Sequence, residues 1–357
     1  MKRYIAAVSI VAILCGMLCG CDFWMDGQYA SVTPYKDQSV HTEKVALEVS
    51  SASRIKDALI QMVEDGTKNG IISVIRFNSS TLHYYVESAI RYVMLETAIG
   101  GYAVSNINFE VGAKSEPATI ALEIDYRHDH REILRLGHVS QMGEAADLIY
   151  KALSECEPSV AFRVDDYQET DFTETVETYG FANPDIVMEI PKVKTAVYPE
   201  TGDERIVELI FTYKTGLEDL KYMQQQVEPI FTSVQLYVRQ DAQSREKYAQ
   251  IYTFLMERFD YTLQSSVTPA YALLIEGKGD CETFATVFAS MCRKAKLECW
   301  VVSGARGGEP WTWNLINFDG GYHHVDLLRS SETGGFTATP SSAMLEYEWN
   351  YNAYPGK

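Results

Sequence analysis

Positive charge is what this sequence has least of. Its 31 lysines and arginines face 49 aspartates and glutamates, a formal net charge of −18. Such a balance offers no general attraction to nucleic acid or to an anionic lipid surface, so polyanion binding is excluded as a basis of function. Cysteine is also sparse, with seven in 357 residues. No Cys-x-x-Cys spacing occurs, which speaks against a zinc ribbon. Only Cys156, Cys281, Cys292 and Cys299 lie beyond residue 21, too few for a disulfide framework in a chain of this size. His128-Asp129-His130 reads as a solvated turn rather than a metal pair, and no metal or cofactor is expected. The apolar fraction of 46% supports real cores, and the length allows two or three domains.

The N-terminus reads as a targeting segment. Lys2 and Arg3 precede an apolar stretch from Tyr4 to Leu18, marginal against the roughly 18 to 20 residues that a membrane helix needs. Leu18-Cys19-Gly20-Cys21 follows, and it resembles the lipobox of bacterial lipoproteins. The resemblance implies cleavage before Cys21, lipid on that cysteine, and a lipid-anchored protein outside the cytoplasmic membrane. Residues 1–21 are therefore expected to be a signal peptide. Residues 22–50 are polar with little periodicity and are expected to be a tether.

Two segments then share a pattern. Ile75-Arg76-Phe77 and Phe162-Arg163-Val164 match at a separation of 87 residues, as do Leu122-Glu123-Ile124-Asp125-Tyr126-Arg127 and Leu209-Ile210-Phe211-Thr212-Tyr213-Lys214. Each segment reads as helix, strand, helix, strand, strand. Two small α+β repeats are expected, over residues 51–137 and 138–225.

A third region, residues 226–357, carries the chemistry. From Ser244 a helix places Tyr248, Ile251, Tyr252, Leu255 and Met256 on one buried face. Gly279-Asp280-Cys281 opens a further apolar helix. A thiol there meets the helix dipole and unpaired N–H groups, which favour a thiolate and can hold an oxyanion. Cys292, three turns later, and Cys299, in an apolar strand, read as core residues. Gly304 to Gly308 reads as a flexible loop, Trp311 to Phe318 as a strand, and Asp319-Gly320-Gly321 as a hairpin turn. Tyr322, His324 and Asp326 then alternate on one face of a third strand.

This order resembles the transglutaminase-like superfamily, whose members share a papain-like cysteine-enzyme core. The pattern of that family is Gly-x-Cys opening a helix, His-x-Trp-Asn on a strand, and an aspartate after a hairpin. Here it stands as Gly279-Asp280-Cys281, Trp311-Thr312-Trp313-Asn314 and Tyr322-His323-His324-Val325-Asp326. The resemblance implies that Cys281 is the nucleophile and Asp326 the residue that orients an imidazole. Trp311 replaces the imidazole, and indole accepts no proton. His324 is the available substitute base, and it also reads as a packing residue. The expected fold is α+β, with a papain-like transglutaminase core at the C-terminus preceded by the two repeats.

Two functions follow. In one, the domain is degenerate and binds a peptide-like ligand or serves as a surface scaffold. In the other, it is an acyl-transfer enzyme that uses Cys281, Asp326 and His324 on an extracytoplasmic peptide or protein. Without a base, a thiol of pKa about 8.5 is only a few per cent ionised at neutral pH.

Overall fold

The computed structural model describes residues 45–75, 79–112 and 117–356. Cys21, the N-terminal apolar stretch, most of the expected tether, and residues 76 and 77 of the first repeat motif lie outside them. The chain is α+β.

The first module contains β1 (Val45–Val49), α1 (Ala52–Glu64), β2 (Asn69–Val74), α2 (Ser79–Glu96), α3 (Ala98–Ala103), β3 (Val104–Gly112) and β4 (Ala118–Tyr126). Its sheet runs β1-β2-β4-β3, with β1 parallel to β2 and the remaining pairs antiparallel. Ser51 caps α1 through its side chain. Ile55, Leu59, Met62 and Val63 bury one face of that helix, at the 3.6-residue spacing of an amphipathic helix.

The second module follows the short helix α4 (His130–Leu134). It contains β5 (Gly137–Gln141), α5 (Ala145–Ser154), β6 (Ser159–Asp166), α6 (Phe172–Ala182), β7 (Lys192–Tyr198) and β8 (Arg205–Thr212). Its sheet runs β5-β6-β8-β7 with the same orientations as the first.

Three boundaries differ from the sequence reading. The tether ends early, because Val45–Val49 is the edge strand β1 beside β2. The division at residues 137 and 138 cuts β5, which pairs with β6. The division at 225 and 226 cuts α7 (Leu217–Tyr237), whose Leu220, Val227, Phe231 and Val234 pack into the C-terminal core. Nor is His128 solvated: its ring stacks on Tyr102 at 4.1 Å, and Asp129 caps α4 with a capping box.

The C-terminal region continues with α8 (Ser244–Met256), β9 (Asp260–Tyr261), α9 (Pro269–Leu274), β10 (Lys278–Gly279), α10 (Cys281–Lys294), β11 (Cys299–Arg306), β12 (Glu309–Phe318), β13 (Gly321–Val325), α11 (Leu327–Glu332) and β14 (Tyr347–Trp349). Its sheet is antiparallel, in the order β13-β12-β11-β14. One face packs on α10, and the other is covered by the chain's end. There Trp349 meets Trp313 at 5.8 Å and His324 at 4.7 Å.

Gly304 is not loop but part of β11, paired with Trp311 and Trp349. A Cβ on it would lie 2.1 Å from the Glu348 carbonyl oxygen, so the close approach of β14 requires glycine. The turn between β12 and β13 uses Asp319 at φ 52° and Gly320 at φ 75°. Paired positive φ values suit the right-handed twist of a two-residue hairpin.

Candidate functional site

Local sequence places Cys281. Asp280 is the N-cap of α10, its Oδ1 accepting from the Thr283 backbone N–H at 2.9 Å and from the Thr283 hydroxyl at 2.7 Å. Its Oδ2 accepts from the Ser265 hydroxyl at 2.5 Å. Burial opposes the charge on Asp280, but these donors together hold its carboxyl below the usual range. Phe284, Val287, Phe288, Met291 and Cys292 are fully buried behind it, and each large apolar side chain contributes roughly 1.5–3 kcal/mol. The helix is thus anchored along its length, with the thiol at its N-terminus.

Asn314 sets β12 against that helix. Its side-chain amide donates to the Ala285 carbonyl at 2.9 Å, which places Thr312 and Trp311 over the start of α10. Cys281 itself is half-buried. Burial pushes its thiol pKa up, and the neighbouring Asp280 charge adds to this. Backbone hydrogen bonds involving Thr312 and Glu282 pull the other way without reversing the shift. The thiol is therefore the neutral species at pH 7.

Trp311 and Asp326 are joined directly. The indole N–H donates to Asp326 Oδ2 at 2.8 Å. The same oxygen accepts from the Tyr347 hydroxyl at 2.7 Å, and Arg306 Nη1 lies 3.7 Å away. Asp326 Oδ1 accepts from the Arg329 backbone N–H at 3.0 Å, which caps α11. Burial, followed by the Asp326 carboxylate, pushes the Tyr347 hydroxyl up to about 12. Asp326 is 7% exposed and accepts three hydrogen bonds, two on Oδ2 and one on Oδ1.

His324 is not brought to the thiol. It is 2% exposed, and its Nδ1 lies 2.9 Å from Trp313 Nε1. Indole can only donate, so Nδ1 is the acceptor and Nε2 carries the proton. Nε2 then donates to the Ser341 hydroxyl at 3.1 Å. Burial, with a smaller contribution from His323, lowers its pKa to about 4. His324 is a neutral, doubly bonded core residue on the Trp349 side of the sheet. His323 stacks on Phe318 at 4.2 Å, and its Nδ1 lies 3.1 Å from the Gly321 carbonyl.

Three further residues shape the site. Tyr261 on β9 pairs with Gly279 and faces Trp311 at 6.3 Å between ring centroids. The Arg306 guanidinium lies 5.4 Å from the Trp311 ring centre and 5.8 Å from that of Tyr347. None of the three belongs to a motif of the sequence. Tyr261 and Gly279 stand 18 residues apart and pair only in space, while Tyr347 arrives on β14 after a long excursion.

Residues 232–327 match the family model of the transglutaminase-like superfamily. That span holds Cys281, Trp311, His324 and Asp326. Among solved structures, the chain is similar to a TGase at 12% identity, covering 47% of this chain and 50% of that one, with a TM-score of 0.26. An inferred cysteine protease from Cytophaga hutchinsonii matches at 10% identity over 42% of this chain and 66% of that one, TM-score 0.27. An inferred protease from Parabacteroides distasonis matches at 9% identity over 76% and 44%, TM-score 0.24. This chain thus spans between 44% and 66% of the length of these proteins. No curated protein matches it.

Proposed function

We propose that this chain, whose residues 232–327 form a transglutaminase-like domain, is a lipid-anchored surface protein that binds peptide segments in a degenerate cysteine-enzyme cleft. The observation that carries this reading is the Trp311–Asp326 hydrogen bond. A triad needs an imidazole that accepts the thiol proton on one nitrogen while the carboxylate holds the other. Trp311 fills the carboxylate side of that arrangement and offers nothing to the thiol. Burial meanwhile keeps Cys281 protonated.

What the cleft retains suits binding. The N-terminal N–H groups of α10 can meet a peptide carbonyl. Tyr261 and Trp311 give aromatic faces, and Arg306 gives a cation beside them. Lipid on Cys21 would hold the domain at the outer face of the membrane, with the two N-terminal modules between membrane and cleft. The acyl-transfer alternative requires His324 to leave Trp313 and Ser341, and no feature of the site favours that.

A pool of synthetic decapeptides of random sequence tests the reading. The full chain in detergent should retain a subset of them unchanged in mass, and Trp311→Ala should release that subset. Cleaved peptides, or an acyl adduct on Cys281 that Cys281→Ala abolishes, would establish the enzyme instead. Retention of no peptide would sink the binding role.

A further inference from the structure

A cavity of about 700 Å³ opens where the two N-terminal modules meet, within the roughly 300–1,000 Å³ of small-molecule sites. Tyr102 on α3 and His128 after β4 reach it from the first module, and Lys151 on α5 and Glu208 on β8 from the second. Glu132 and Arg135 come from the chain between the modules. The junction is firm, because Ile206 of β8 is fully buried in the core of the first module. The cavity is therefore built into the fold.

Two acceptors meet in its wall. Glu208 is 9% exposed. Among the described residues no lysine or arginine comes within ion-pairing distance of it, and its carboxylate accepts only from the Tyr198 hydroxyl, at 3.5 Å. His128 Nε2 lies 3.5 Å from Glu208 Oε1, yet that nitrogen is buried without a hydrogen bond. Stacking on Tyr102, with 6° between the ring planes, fixes the imidazole. Its Nδ1 lies 3.6 Å from Glu132 Oε2, an oxygen held in turn by the Asp129 N–H at 2.7 Å. With the ring proton on Nδ1, Nε2 is an acceptor, and it faces the carboxylate with no donor between them. A buried carboxylate left short of partners is costly. An ammonium group removes both deficits, since it brings three donors and a positive charge. The rest of the wall has the same preference. Glu155 and Glu157 also line the cavity, so four carboxylates face the two cations Arg135 and Lys151. Burial, then the charges of Glu208 and Glu132, push the Tyr102 hydroxyl pKa up.

We propose that this crevice binds a small organic diammonium ion, a diamine or the end of a polyamine. One ammonium group donates to Glu208 Oε1 and His128 Nε2. The other lies along the acidic wall that Glu155 and Glu157 complete. Two carboxylates in excess take a dication without leaving a charge unmatched. The site is independent of the C-terminal cleft and of any activity there.

Equilibrium dialysis of the full chain in detergent against radiolabelled 1,4-diaminobutane near pH 7 tests this. One molecule per chain should bind, and an excess of 1,4-butanediol, of the same length without charge, should not displace it. Glu208→Gln keeps the size and an acceptor but removes the charge, so it should weaken binding about tenfold or more. Ser159→Trp tests the cavity without altering a charge. Ser159 is an exposed lining residue at the start of β6, so a bulky ring there should fill the space and abolish binding, whether or not the Glu208 variant folds. No retained diamine, or displacement by the diol, would overturn the proposal. So would several molecules held per chain with Ser159→Trp unchanged, which would mean diffuse attraction to an acidic surface.

Discussion

Trp311 performs one half of an imidazole's work. It donates to Asp326 at 2.8 Å, and its indole offers no proton acceptor. Replacing Trp311 with His should restore a proton acceptor beside Cys281. The expected outcome is a midpoint of Cys281 alkylation against pH that falls by more than about one unit, because an adjacent imidazolium favours the thiolate. An unshifted profile would mean that the ring does not reach the sulfur. His324 carries a separate prediction. Its folded pKa of about 4 lies below the ordinary 6.5, so between those values the unfolded chain binds the extra proton. Its contribution is whole above pH 6.5 and lost as pH falls to about 4, at most about 3 kcal/mol for a buried group. Urea unfolding at pH 7 and at pH 4.5 should show a steeper loss for the wild type than for His324→Gln. Equal losses would contradict the buried, neutral state. At this scale spacing and turn chemistry put Trp311 and Asp326 on neighbouring strands, and in the structure a hydrogen bond joins them. His324 already read as a packing residue; what strand alternation could not name were its partners, Trp313 and Ser341, which claim both nitrogens.

At the scale of elements, α10 combines two demands at its first turn. Asp280 caps the helix, and its charge raises the pKa of the thiol beside it. Asparagine caps as well as aspartate and carries no charge. Asp280→Asn should therefore leave stability nearly unchanged while lowering the Cys281 pKa. Asp280→Ala should cost about 1–2 kcal/mol, because the Thr283 N–H and the Ser265 hydroxyl lose their acceptor. Denaturant midpoints and alkylation profiles of the pair separate the two effects. If the asparagine variant proved as unstable as the alanine one, the capping account would fail. Elements were legible where a helix or strand was long and regular, as in α1, α8 and β12. They were missed where tertiary pairing makes them. Val45–Val49 is five residues that become a strand only beside β2. The pattern of α7 was divided because Pro229 interrupts it and its apolar face serves the next domain rather than the module before it.

Across the whole molecule, the second module and the C-terminal domain are not loosely strung together. Asp185, in the turn after α6, accepts from Ser290 at 2.9 Å and pairs with Lys294 at 2.7 Å, both on α10. Arg293 donates to the Ala182 carbonyl. On the other side, Gln224 of α7 donates to the carbonyls of Ser154 and Ile186 at 3.1 Å each. The helix that presents Cys281 at one end is thus clasped by the module at the other. Sequence spacing gave no hint of this, since Asp185 and Ser290 are 105 residues apart. The clasp is asymmetric. Asp185 is buried, whereas the Lys294 side chain is 43% exposed. A partner left behind in the interior costs more than one returned to water. Lys294→Ala leaves a buried carboxylate with Ser290 alone and should destabilise by about 1–3 kcal/mol. Asp185→Asn keeps an acceptor for Ser290 and releases Lys294 to solvent, so it should cost less. A calorimetric scan of both variants decides the matter. The ordering should hold, and loss of the clasp should also split any single transition into one for the second module and one for the C-terminal domain. The reverse ordering would mean that the pair is solvated and that the two units are coupled through their apolar contacts instead.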